Sequence, residues 1–341
     1  MKIGILTHPQ GGNYGGLLQC YALSMVLKQM GHHPIVIRRE GNKSFFLWRF
    51  VRSILCFLHI PRYYRPNKID KTKNIRPFVE KHLSRTKPLH TLNQMKQVCK
   101  EHSLGAVVVG SDQVWRHDYA LNFGYNYFLD FVPDGVTKFS YAASFGLSGW
   151  HYAHSETEKI KHLLTSFKGI SVREDEGVTL LRDFIGAESV HVLDPTLLLS
   201  SKDYDIITDK RLIQDKYIFV YWLGNQDLIK EEIIKYESEG YYIVNINLRD
   251  NIELVPVETW LSYIKYADFV ITDSFHGVVF SIIFEKKFKI LFNTSGGTSR
   301  ITSLCNLLKI NPSEEVDYTQ VNNSIKNLKK ISLDFIKKML E

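Results

Sequence analysis

Four side chains in this sequence have the chemistry of a proton-transfer and anion-binding centre: His276, Asp112, Arg173 and Arg300. His276 stands in the stretch DFVITDSFHGVVFSIIF, residues 268–284. Its first part, Asp268–Thr272, is a β-branched and aromatic run that predicts a buried strand. From Val278 onward the residues are too uniformly apolar for one helix face, so the helix predicted there is buried nearly all round. His276 therefore falls at the carboxyl end of a strand and the amino end of a helix, where ligands of open α/β sheets collect and free N–H groups favour anions. Ser274 (or Asp273) caps that helix, and Gly277 lets another group approach the backbone. An imidazole is the natural group to give or take a proton near neutral pH.

The other polar corners have the same context. Ala106–Val109 reads as a buried strand ending in Gly110-Ser111-Asp112-Gln113, where Asp112 suits a substrate hydroxyl or the work of a base; its bland reading is a cap or turn residue. Gly169–Val172 is a strand followed by Arg173-Glu174-Asp175-Glu176, and an arginine at that corner suits an anionic ligand unless the following acids absorb it. Arg300 lies in the first turn of a helix predicted over Thr298–Leu308. Near the N-terminus, strand Lys2–Leu6 runs into the loop THPQGGNYGG and a helix over Leu17–Met30. Asn13, Tyr14 and Gly15 are placed to cradle a ligand there, although the loop matches neither GxGxxG nor the P-loop spacing.

These corners need strands alternating with helices. The pattern occurs once over residues 1–200 and restarts with a strand at Tyr217–Trp222, with 200–216 as linker. The fold class expected is α/β, two Rossmann-like domains (1–200 and 201–341) facing a cleft, with a last helix over 322–340 crossing back to the first. The four cysteines are far apart with no CxxC pair, which predicts a reduced, cytoplasmic protein without structural zinc. No signal sequence opens the chain, and no apolar run is long enough to span a bilayer.

The net charge of +7 is unevenly spread: residues 38–100 carry 16 Lys or Arg against 3 Asp or Glu. Such asymmetry points to an anionic partner for that region, with a solvated surface as its bland alternative. Within it, 44–66 (SFFLWRFVRSILCFLHIPRYYRP) reads as a basic amphipathic helix with aromatics, suited to packing on its own domain or to peripheral contact with an anionic membrane. No recognised nucleic-acid module is present, so no nucleic-acid partner is expected.

The motifs NYGGLLQCYAL, VVGSDQVW, YAASFG, SVREDEG, VLDPTLLL and ITDSFHGVVFSIIF, in this order, resemble the polysaccharide pyruvyl transferase family from residue 1 to about 308. The resemblance implies a fold similar to GT-B glycosyltransferases. It implies transfer of pyruvate from phosphoenolpyruvate onto two hydroxyls of a sugar in a cell-surface polysaccharide precursor, such as an exopolysaccharide or capsule unit. The product is a pyruvate ketal, phosphate leaves, and neither a metal nor a cofactor takes part; phosphoenolpyruvate is the co-substrate. In that frame His276 and Asp112 are catalytic. Arg173, Arg300, Ser274 and Gly277 form the donor side, and Asn13, Tyr14 and Gly15 face a glycan or lipid-linked glycan acceptor. Relatives tend to have Arg-Leu-His where this chain has Ser274-Phe275-His276, so one donor cation is missing at position 274. The competing expectation is a GT-B-type glycosyltransferase with a nucleotide-sugar donor, against which the acid-free helix after Asn293–Ser299 counts.

Overall fold

The computed structural model describes residues 1–9, 12–41, 70–224, 229–248, 250, 253–292 and 298–341 of the chain. The amphipathic segment 44–66 and the glycine turn 293–297 thus fall outside the described residues. Among those described, no helix is long and apolar enough to cross a membrane.

Two parallel sheets organise the molecule. In the first, β1 (Lys2–Leu6), β2 (His33–Val36), β3 (Ala106–Val109) and β5 (Thr137–Ser140) lie in the order β2-β1-β3-β5, with the short β4 (Asn122–Tyr125) on the way between β3 and β5. β6 (Ser171–Val172) and β7 (Val190–His191) extend this sheet beyond β5 through the bridges Phe139 to Gly169 and Ala143 to Val172. In the second sheet, β8 (Tyr217–Trp222), β9 (Tyr242–Asn247), β10 (Phe269–Thr272) and β11 (Phe288–Ile290) lie in the order β11-β10-β8-β9. Helices cover parallel sheets on both faces, so central strands lose the polar alternation of a one-sided sheet. β3 (AVVV) and β8 (YIFVYW) are accordingly buried at every position.

Both sheets reverse their strand order at one place, between β1 and β3 and between β8 and β10. Two connections leave in opposite directions there and open a crevice at the carboxyl ends of the strands. Asp112 follows β3 and His276 follows β10, so the two expected catalytic residues stand at the two crevices.

The halves share apolar packing. Tyr14, wholly buried, stacks on Trp260 at 5.0 Å and 13°, and its hydroxyl donates to the Val255 carbonyl at 2.8 Å. Tyr14 is therefore core between the halves, and the expectation that it faces an acceptor is corrected. It opens the helix Tyr14–Gln29, which starts three residues before the expected Leu17 because Asn13 Oδ1 accepts from the N–H groups of Gly15 and Gly16. The helix Tyr318–Leu340 runs back over the first sheet: Ser332 Oγ accepts from the Leu193 N–H at 3.0 Å, and a Cβ on Gly169 would meet Met339 Sδ.

Candidate active site

The carboxyl ends of β3, β6 and β7 deliver Ser111, Asp112, Arg173, Glu174 and Asp194 to one place, all of them at most 6% exposed. Arg173 is the hub. Its Nη1 donates to Asp194 Oδ2 at 2.7 Å and to Ser111 Oγ at 3.1 Å, its Nη2 lies 3.4 Å from Asp112 Oδ1, and its Nε lies 4.0 Å from Glu174 Oε2. The guanidinium also covers the Phe275 ring at 4.8 Å. Three carboxylates outweigh the cost of burying this cation and raise its pKa further. Arg173 was expected as a donor contact; its charge is instead absorbed by its own acids.

Asp194 is the most heavily hydrogen-bonded of those acids. Ser111 Oγ donates to Oδ2 at 2.8 Å, and the backbone and hydroxyl of Thr196 donate to Oδ1 at 3.1 and 2.7 Å. Burial opposes ionisation here, but His276, Arg173 and Thr196 overcome it and hold the carboxyl far below the usual range. Asp112 is likewise lowered against burial, by Arg173 first and then by His8, His276 and Arg300. Its backbone has φ +78°, a region that costs a non-glycine residue energy and that recurs at working sites. Its Oδ2 lies over the first turn of the helix Tyr14–Gln29, where a Cβ on Gly16 would come within 3.0 Å. A carboxylate at the positive end of a helix is favoured there.

His276 comes from the second half. It sits in the first turn of the helix Phe275–Ile283, capped by Ser274, whose Oγ accepts from the Gly277 N–H. The imidazole lies so close on Gly15 that a Cβ there would fall 2.0 Å from Nδ1. Its Nε2 stands 3.7 Å from Asp194 Oδ2, longer than a hydrogen bond and short enough for a strong ion pair once the ring is protonated. Gly15 is therefore the floor under the histidine. Gly277 admits Thr272 Oγ1, which a Cβ would meet at 2.2 Å, so its small size serves the strand-to-helix packing and its donor-side reading is corrected. Ser274 is buried and acts as the cap, while Asn13 is exposed at the crevice as the cap of its own helix.

Arg300, in the helix Thr298–Leu308, is half-buried and makes no hydrogen bond or ion pair among the described residues. Burial and the like charge of Arg173 lower its pKa to about 10, so it remains a cation at neutral pH. Buried polar atoms without partners are rare and call for an explanation. Ser144 Oγ, Arg173 Nε, Glu174 Oε2, His276 Nε2 and Arg300 Nε are all of this kind, and the last four belong to this one cluster. The arrangement can donate a proton from an imidazole, steady the resulting charges with ionised carboxylates, and receive an anion on Arg300. No group of three or more metal-ligating side chains occurs among the described residues.

Sequence reasoning singled out Asp112, Arg173, His276 and Arg300, which the fold does bring together. It missed Asp194, Ser111 and Glu174, although each closely follows a predicted strand, which was the available signal.

The fold has solved counterparts. The UDP-GlcNAc 2-epimerase from Methanocaldococcus jannaschii is similar with TM-score 0.53 and 13% identity over 96% of this chain and 93% of that one. The UDP-GlcNAc 2-epimerase from Neisseria meningitidis, bound to UDP-GlcNAc, gives TM-score 0.52 and 11% identity, with 100% of each chain covered. At such identity the likeness concerns the fold, which is of the GT-B type. No curated protein matches the sequence. The family model "Polysaccharide pyruvyl transferase" matches residues 13–290, a span that runs from the cap of the first helix through His276. The chain therefore belongs to the polysaccharide pyruvyl transferase family and is an enzyme of that type.

Proposed function

We propose that this enzyme transfers pyruvate from phosphoenolpyruvate onto two hydroxyls of one sugar in a polysaccharide precursor. The observation that carries the reading is the set of buried nitrogens without a hydrogen-bond partner in one cluster, Arg173 Nε, His276 Nε2 and Arg300 Nε. An anion with several acceptor oxygens would answer the two guanidinium N–H groups and the imidazole together.

In the reaction so assigned, His276 gives a proton to the methylene carbon of the donor, which becomes a methyl group and leaves cationic character at the central carbon. A sugar hydroxyl adds there and returns its proton to the imidazole. The carbon–phosphate-oxygen bond breaks, and the second hydroxyl closes the ketal while its proton leaves on phosphate. Asp194, 3.7 Å from Nε2, steadies the imidazolium between these transfers. Arg300 takes the place of the cation missing at Ser274 and meets the phosphate or carboxylate. Asp112, ionised and at the helix amino end, accepts a hydrogen bond from an acceptor hydroxyl. Arg173 holds Asp112 and Asp194 apart and ionised, as a positioning residue.

The test is thermal stabilisation by phosphoenolpyruvate against a panel of nucleotide sugars, followed by phosphate release with diol glycans. Saturation of about 100-fold should stabilise by about 2.7 kcal/mol. Stabilisation by phosphoenolpyruvate that disappears in Arg300→Gln supports the reading. Stabilisation by a nucleotide sugar alone overturns it and assigns the site to a glycosyl donor.

A further inference from the structure

Past β2 the chain continues as Ile37-Arg38-Arg39-Glu40, inside the basic stretch of the sequence. A cavity of about 220 Å³ lies there, walled by Arg38, Arg76, Arg85, Thr72 and Glu80. A smaller one, about 60 Å³, shares Arg38 and Arg85 and adds Arg39, Glu40 and Thr7. Thr7 is also the residue whose hydroxyl donates to the Ser111 carbonyl at 2.9 Å, next to the Asp112 corner. An arginine track thus runs from the edge of the first sheet as far as Thr7, one hydrogen bond from Ser111 beside the Asp112 corner. We infer that this track binds a phosphoryl group carried by the acceptor, holding the sugar's hydroxyls toward His276; the inference rests on the transferase reading above.

Three of the four arginines are anchored. Arg38 Nη2 donates to Glu40 at 2.7 Å, Arg76 pairs with Asp70, and Arg39 donates to Asn126 Oδ1 and to the carbonyls of Glu40 and Leu89. Arg85 makes no hydrogen bond or ion pair among the described residues, although it is half-buried. Its mount is rigid, because the Ser84 carbonyl accepts from Val36 N–H and the Val36 carbonyl from Thr86 N–H. Burial and the like charge of Arg38 lower its pKa, and the charges of Glu80 and Glu40 do not offset them. An extra anion between Arg38 and Arg85 would relieve that repulsion. A carboxylate is satisfied by one guanidinium fork, whereas a phosphoryl group presents enough oxygens and charge for several.

The test is calorimetric titration of the full chain with inorganic pyrophosphate, geranyl diphosphate, UDP and, as the carboxylate control, glucuronate. Wild type, Arg85→Gln and Arg300→Gln are compared, each with and without phosphoenolpyruvate. The expected result is that at least one diphosphate binds wild type and Arg300→Gln alike and loses about tenfold or more in Arg85→Gln, the scale of one charge-assisted contact. Tighter binding of geranyl diphosphate than of UDP would support the track with a lipid carrier as the source, and the reverse order would support it with a nucleotide. Diphosphate binding unchanged in Arg85→Gln, binding no tighter than that of glucuronate, or no binding at all would each overturn the inference. Arg85-dependent diphosphate binding in a protein that phosphoenolpyruvate never stabilises would uphold the track and sink the donor reading instead.

Discussion

At the crevice between β1 and β3, the Thr7 hydroxyl donates to the Ser111 carbonyl; at the one between β8 and β10, Asp273 Oδ1 accepts from the Leu223 N–H at 2.7 Å. The two halves thus repeat one strand order and pin their crevices with side-chain hydrogen bonds. They load those crevices differently. The first half supplies a buried guanidinium whose Nη1 and Nη2 are held by its own acids, with only Nε left without a hydrogen bond. The second half supplies an imidazole with no hydrogen bond at Nε2 and an arginine with none at Nε. The difference separates a framework that is preorganised by its own ion pairs from groups whose electrostatics are finished only by a substrate.

Substitutions can break this division. The largest effect belongs to His276→Asn, which should lower kcat by about 10²–10⁴-fold, with a thermal midpoint near that of wild type. A variant that keeps turnover would remove the imidazole from the chemistry. Arg173→Met should leave Asp112 and Asp194 buried without their cation and cost about 3–5 kcal/mol of unfolding free energy in denaturant titration. A stable Arg173→Met protein that merely binds phosphoenolpyruvate poorly would reverse the roles of the two arginines.

Gly15→Ala sharpens the point where the halves touch. Its Cβ would meet the imidazole, so the ring must move, at a cost of about 1–3 kcal/mol and with a loss of turnover larger than the loss of stability implies. Acid should expose the first half in particular. Asp194 and Asp112 both titrate below an unfolded aspartate in the folded protein, so their stabilisation is whole above about pH 4 and disappears as pH falls below it. Denaturation midpoints followed from about pH 5 to about pH 3 should decline less steeply in Asp194→Asn than in wild type; parallel profiles would contradict the assignment. The smallest change in stability is expected for Arg300→Gln, within about 0.5 kcal/mol, alongside loss of stabilisation by phosphoenolpyruvate.

Much of this was legible in the sequence because it is local. Strand-to-helix corners announce themselves by apolar runs that end in glycine and small polar residues, so His276, Asp112 and Arg173 could be placed at sheet ends. The resemblance carried by the ordered motifs named the family. What escaped depends on contacts across long stretches of chain. That Asp194 meets Arg173 and His276, or that Gly15 is the bed for an imidazole far along the sequence, follows from how two sheets face each other. Tyr14 was misread for a related reason: beside glycines in a polar loop it looks available, yet its ring fills the core against Trp260. Arg173 shows the limit of composition, since a cation at a strand end reads the same whether it awaits a ligand or is already neutralised.

The helix Tyr318–Leu340 has a consequence for how the chain is made. It covers part of the first sheet, with Phe335 near Tyr141 and Met339 on Gly169, and 139 residues separate Leu193 from the Ser332 hydroxyl that accepts its N–H. At roughly 5–20 residues per second, a ribosome needs on the order of 7–30 s to bridge that gap. Through that interval the first sheet is already synthesised while its covering helix is not. The nascent enzyme must therefore carry bare apolar surface around Tyr141 and Gly169 for on the order of ten million to a hundred million times longer than a helix takes to form, a window in which chaperone binding or premature association would decide the yield.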